Sequence, residues 1–148
     1  GELAKANGCD HIINYSNENV AERVREITDG KGVPVVYDGV GQSTIMSSLD
    51  SLSPRGLLVS FGNASGPVKD FDLGQLSAKG SLYITRPTLM TYVASDRDLA
   101  DTMADLFEMV GSGKIDISIN QRYPLSEAVQ AHRDLEGRKT TGSTILLP

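Results

Sequence analysis

The sequence has a single cysteine, Cys9, in 148 residues. One thiol excludes an internal disulfide and any zinc site built from several cysteines. Its two histidines, His11 and His132, form no metal-ligand spacing with Cys9 or with each other. No block of basic residues runs against a net charge of −5, which argues against a nucleic-acid surface. No apolar run approaches the ~20 residues that a bilayer crossing needs. No secretory signal is legible, and the sparing use of cysteine suits a reducing, cytoplasmic setting. Also missing are a G-x-G-x-x-G fingerprint, a Ser-His-Asp arrangement and a paired-carboxylate signature. No catalytic acid or base and no metal ligand is therefore assigned. Asp10 and Asp38 are the carboxylates one would test as bases, and neither has an obvious partner.

The 39% hydrophobic and 22% charged shares suit a folded globular chain. The opening residues, Gly1 to Gly8, read as a helix already ending, with Gly8 as its C′ residue. The chain is thus expected to be cut from something longer. At the other end, Ser143 to Pro148 reads as a strand that stops at proline. Between them the pattern alternates. Residues 11–15 form a β-prone run. A helix carrying Val20, Val24 and Ile27 follows, with Ser16 or Asn17 as its cap. Val33 to Asp38 is a strand, and Ile45, Met46, Leu49 and Leu52 mark a helix. Pro54-Arg55-Gly56 signals a turn. Residues 57–61 are a short apolar run of the kind buried in parallel sheets. Leu73 and Leu76 suggest a short helix within 70–79, and residues 81–85 another strand. Ser95 caps a helix with Asp98 in the capping-box position, and the apolar stripe of that helix is Leu99, Met103, Leu106, Phe107 and Val110. The last helix begins at Ser126, turns Val129, His132 and Leu135 inward, and ends at Gly137.

Strand and helix in alternation imply right-handed crossovers and a parallel sheet with helices on both faces. Ligands of such sheets lie at the carboxyl ends of the strands. That edge collects Tyr15, the Gly39-Val40-Gly41 turn, residues 61–64, and residues 85–89. The glycine turn is either a backbone edge for a flat ring or a plain strand-to-helix turn. Asn63 offers paired donor and acceptor groups that suit a carboxamide, or it closes a solvent loop. Tyr15 stacks on an adenine or sits as a rim residue. Arg138 pairs with phosphate or is solvated surface charge. A binding edge without acid–base machinery fits hydride transfer, in which the cofactor carries the chemistry.

Four blocks then stand out: residues 10–15 (DHIINY), 35–41 (VVYDGVG), 56–66 (GLLVSFGNASG) and 80–87 (GSLYITRP). Together with Tyr123-Pro124-Leu125, Ala131-His132 and Gly142-Ser143 they resemble the zinc-free NADPH:quinone oxidoreductase (zeta-crystallin-like) branch of the medium-chain dehydrogenase/reductase superfamily. The resemblance implies a truncated Rossmann-like, doubly wound parallel α/β sheet missing its first two strands and its glycine-rich phosphate loop. A short C-terminal strand-helix-strand segment would complete the chain. It divides the chain into 1–118, part of an NADP-binding domain, and 119–148, which belongs in the parent to the catalytic domain. It implies NADPH as cofactor and a quinone as substrate. Tyr15 would lie near the adenosine, Val40 near the ribose, and Phe61, Gly62, Asn63 and Ala64 along the dinucleotide. Pro87, Thr88 and Leu89 would lie near the nicotinamide, and Arg138 by the phosphates. It also implies a homodimer through the edge strand 81–85, which carries no Pro or Lys guard. With its neighbours missing, residues 12–15 are expected to be displaced or to pair with another chain. The alternatives are the cofactor domain of another medium-chain reductase (an enoyl reductase or an alcohol dehydrogenase) and a non-enzymatic nucleotide-binding module.

Overall fold

The computed structural model describes residues 1–148, which fall into two compact units, Gly1–Thr91 and Tyr92–Pro148.

The first unit is built on three parallel strands, β1 (Val33–Asp38), β2 (Leu52–Ser60) and β3 (Tyr83–Thr85), in the order β1-β2-β3. Helix α3 (Ile45–Asp50) joins β1 to β2, and α4 (Gly74–Ala78) joins β2 to β3. The register pairs Asp38 with Ser60 and Val59 with Thr85, so all three strands end at one edge. Leu58 is fully buried at the centre. Around it lie Ile45, Leu49, Leu52 and Leu82, with Val33, Val36, Phe71 and Leu76 packed outside them. Helix α2 (Val20–Ile27) lies against α3, and Arg25 Nη2 fastens it there by donating to the carbonyls of Asp50 (2.9 Å) and Leu52 (2.7 Å).

These contacts put α3 and α4 on one face of the sheet, not on both as expected. The opposite face leaves Val35, Tyr37, Tyr83 and Thr85 exposed. The cause is the strand order: right-handed crossovers that step steadily in one direction must put their helices on one side.

Three local expectations are also corrected. Residues 11–15 form no strand. Asn14 takes that backbone into a turn, since its Oδ1 accepts from Ser16 N (3.1 Å) and its carbonyl accepts from Asn17 N and Glu18 N (both 2.9 Å). Asn19, not Ser16 or Asn17, caps α2, accepting from Ala21 N and Glu22 N. Pro54-Arg55-Gly56 does not end an element. It is a bulge inside β2, where the register steps from Val33–Leu52 to Val35–Leu57 and Arg55 takes φ +61°.

Helix α1 (Glu2–Ala6) opens the first unit, and α5 (Leu89–Tyr92) runs from it into the second. The second unit continues with α6 (Asp96–Gly111), capped as expected by Ser95, whose Oγ accepts from Asp98 N. A strand-helix-strand segment follows: β4 (Ile119–Pro124), a 3-10 turn at Leu125–Glu127, α7 (Ala128–Glu136), and β5 (Ser143–Leu147) parallel to β4. Val129, His132 and Leu135 are exposed rather than buried, although His132 and Leu135 line an open cavity with Ala131, Thr144 and Leu146. The buried residue of α7 is Ala131, whose small side chain lets the helix approach the strand pair closely. Cys9 is exposed as well, with Sγ against the His11 carbonyl (2.9 Å).

Candidate functional site at the carboxyl edge of the sheet

The edge is organised by one carboxylate. Asp38 ends β1 and is 4% exposed. Its Oδ1 accepts from Val40 N (2.8 Å), Gly41 N (3.0 Å) and Thr44 Oγ1 (3.0 Å). Its Oδ2 accepts from Thr44 Oγ1 (2.8 Å) and Ser48 Oγ (2.7 Å). Burial pushes this carboxyl up, but the Gly41 N–H, the Ser48 and Thr44 hydroxyls and the Val40 N–H more than offset it and hold it below the ordinary 3.8. A carboxylate so enclosed by donors is a fixed acceptor, not a general base. Its work is to fold the Gly39-Val40-Gly41 turn.

The turn after β1 is bonded to the loop after β2. The Asp38 carbonyl accepts from Phe61 N (2.9 Å), and the Val40 carbonyl accepts from Ser65 N and Ser65 Oγ (both 2.8 Å). Ser65 Oγ accepts in turn from Ser43 N (2.9 Å). The two backbones meet at Gly39 and Gly62, where a Cβ on Gly62 would stand 2.6 Å from Gly39 Cα. The Phe61 ring lies over Gly39. The absent side chain at Gly62 thus admits the Gly39 backbone, a reason for glycine that the sequence pattern does not reveal.

Tyr15 and Val40 come together. With Val36, Tyr37, Asp38, Gly39, Thr44 and Ser48 they line a cavity of about 220 Å³ beside the glycine turn. Asn63 lines a different cavity of about 330 Å³, with Ser60, Val68, Phe71, Ile84 and Arg86. Of the 61–64 loop, Asn63 alone lines that second cavity, and no residue of the loop lines the first. Ala64 N donates to the Gly39 carbonyl (3.4 Å). Pro87 and Thr88 follow β3 on the same edge, and Leu89, 66% exposed, opens α5. Arg138 belongs to the second unit. It is exposed and takes φ +56° just beyond α7.

Thr44, Ser48 and Ser65 were missed. For the first two a signal existed: hydroxyls four residues apart at the start of α3 face back toward the strand end that carries Asp38. Ser65 had none, because its partners Val40 and Ser43 lie more than twenty residues away in sequence.

A glycine turn and a small-residue loop, bonded together where parallel strands end, are what a dinucleotide-type sheet presents to a ligand. The zinc-binding dehydrogenase family matches residues 7–146. This chain is a member of that family. It is 57% identical over 146 residues to a quinone oxidoreductase of Pseudomonas aeruginosa, covering 99% of this chain and 45% of the relative. It is 45% identical over 150 residues to a 2-haloacrylate reductase of a Burkholderia species, covering 99% and 44%. Among solved structures it superposes on Escherichia coli quinone oxidoreductase complexed with NADPH with a TM-score of 0.95, at 47% identity and covering 99% and 46%. The chain thus spans a little under half the length of the relatives it matches. Despite the family's name, no three His, Cys, Asp or Glu side chains gather here into a group fit for a metal ion. No helix is long and apolar enough to cross a membrane.

Proposed function

We propose that this zinc-binding dehydrogenase chain is the cofactor-binding and dimerisation part of an NADPH-dependent quinone reductase. The observation that carries the reading is the Tyr15–Val40 cavity beside the bonded 39–41 and 61–64 backbones at the end of a parallel sheet. It stands in a chain more than half identical to a quinone oxidoreductase. Its residues fit a dinucleotide. Tyr15 offers an aromatic wall for the adenine, and Val40 packs beside the ribose. Phe61, Gly62, Asn63 and Ala64 follow the dinucleotide, with the Asn63 amide suited to a carboxamide. Pro87, Thr88 and Leu89 flank the nicotinamide, and Arg138 pairs with phosphate. Bound NADPH supplies the hydride, and these residues bind and orient it.

The quinone is the proposed substrate. A 2-haloacrylate is the second reading, because a relative named 2-haloacrylate reductase is 45% identical over 150 residues. The 119–148 segment is assigned to the catalytic domain of the parent, and the protein to the cytoplasm. The free edge of β3 is proposed to join the sheets of two subunits antiparallel across a two-fold axis.

The test compares this chain with the product of the complete reading frame that contains it. Each is mixed with NADPH and a benzoquinone, then with NADPH and 2-chloroacrylate, and the loss of dihydronicotinamide absorbance is followed. The complete product oxidises NADPH with the quinone, and the 148-residue chain alone does not. A complete product inert toward both acceptors would overturn the reading, and preference for the acrylate would install the alternative.

A further inference from the structure

The carboxyl edge carries one cation that the reading above leaves without a task. Arg86 sits between β3 and residues 87–89, and its Nη1 donates to the carbonyls of Ser60 (2.8 Å) and Gly62 (3.1 Å). The β2–β3 ladder stops at Val59–Thr85. Beyond it, Ser60 and Gly62 have no strand neighbour on that side. The guanidinium continues the ladder by one side-chain step and ties the loop after β2 to the chain after β3. It also lines the same cavity as Asn63.

We propose that Arg86 is a positioning residue for the nicotinamide half of the cofactor. Its bridge sets the spacing between residues 61–64, which follow the dinucleotide and include the Asn63 amide suited to a carboxamide, and residues 87–89, which flank the nicotinamide. The inference rests on the function proposed above and makes a claim that function does not. The adenosine side, at Tyr15 and Val40, is organised by the Asp38 carboxylate, and Arg86 reaches it only indirectly, through the loop after β2, where Gly62 N donates at 3.3 Å to the Asp38 carbonyl. Loss of Arg86 should therefore act on one half of the dinucleotide and spare the other.

The experiment uses the complete protein and two probes, NADPH and adenosine 2′,5′-bisphosphate, each titrated against wild type, Arg86→Gln and Arg86→Lys. Glutamine is too short to serve both carbonyls. Arg86→Gln is expected to weaken NADPH about tenfold, the worth of about 1.4 kcal/mol, and to leave adenosine 2′,5′-bisphosphate unchanged. Arg86→Lys, whose ammonium can donate to both carbonyls, recovers part of the NADPH affinity. Unchanged affinity for the bisphosphate also reports that the variants fold. Equal loss of both probes in both variants, or no change in either, would overturn the assignment. Wild-type protein that binds neither probe would instead overturn the function on which it rests.

Discussion

Gly62→Ala puts a methyl group where two site loops touch. The backbone of Gly62 does not lie in the left-handed region, so alanine meets no dihedral penalty there and the whole cost is contact. The new Cβ would stand 2.6 Å from Gly39 Cα and closer still to the Gly39 carbonyl. Carbon pairs settle at ~3.5–4.0 Å, so the loops must part by roughly 1 Å. The obstacle is backbone on both sides, and no rotamer change relieves it. A shift of that size lengthens the bonds from Phe61 N to Asp38 O (2.9 Å) and from Ser65 N to Val40 O (2.8 Å). Two backbone bonds at ~0.5–1.5 kcal/mol each give a loss of about 1–3 kcal/mol, which agrees with the usual cost of overpacking. The assay is urea unfolding with a parallel titration of adenosine 2′,5′-bisphosphate. Gly111→Ala is the control, because nothing lies within 4 Å of its added Cβ and a helix position gains from alanine. Gly62→Ala should lower the midpoint and weaken the nucleotide, while Gly111→Ala holds or raises the midpoint. A Gly62→Ala protein as stable as wild type, with nucleotide affinity intact, would refute the contact argument.

Two further outcomes follow from the same edge. Asp38 has its folded pKa below the ordinary 3.8, so its stabilisation is present above that value and is lost as pH falls through the lower, folded one. Asp38→Asn should be less stable at neutral pH by about 1.5–3 kcal/mol and should lack the wild-type fall in stability below pH 3.8; a variant with the same acid profile as wild type would show that another group titrates. Tyr83→Lys places a charge on the exposed, unguarded edge strand β3, and the proposed two-fold brings two such charges onto one strand pair. Sedimentation should show dimer for wild type and monomer for the variant, and a wild-type monomer would remove the edge interface.

What was legible in the sequence was whatever a short window contains. The mostly apolar run 57–61 announced a strand buried at Leu58, although that strand ends at Ser60 and Phe61 beyond it is exposed. Ser95 and Asp98 announced a helix start because both capping partners lie within one turn. Residues 11–15 have strand composition, yet a strand needs a neighbour, and Asn14 closes a turn on its own backbone instead. Pro54-Arg55-Gly56 carries turn chemistry, which a bulge uses equally well. The role of Asp38 could not be read locally, because it depends on α3 returning Thr44 and Ser48 to the strand end. At α7 the larger apolar residues misled: contact is made by Ala131, whose small size permits the approach.

The end of α7 poses the same problem and allows a test whose two readouts carry opposite signs. Gly137 looks like the residue that should leave the helix in the left-handed region, but it caps with φ −74°, and Arg138 takes φ +56° instead. Arg138 N donates to Leu135 O (3.1 Å) and Lys139 N to Asp134 O (2.9 Å), the paired bonds of a Schellman ending with arginine in the place glycine usually fills. A non-glycine residue there costs ~1–2 kcal/mol. Glycine returns ~0.5–1 kcal/mol of that as entropy in the unfolded chain. Arg138→Gly should therefore be more stable by about 0.5–1 kcal/mol. If Arg138 pairs with a cofactor phosphate, the same change removes a charge-assisted bond and weakens NADPH by about 1.5–3 kcal/mol. Arg138→Lys keeps the charge and the strain, so its stability should match wild type while its affinity falls between the two. An Arg138→Gly protein that is stabilised yet binds NADPH unimpaired would strip Arg138 of its ligand role. One that is destabilised would show that the left-handed turn holds no strain for glycine to release.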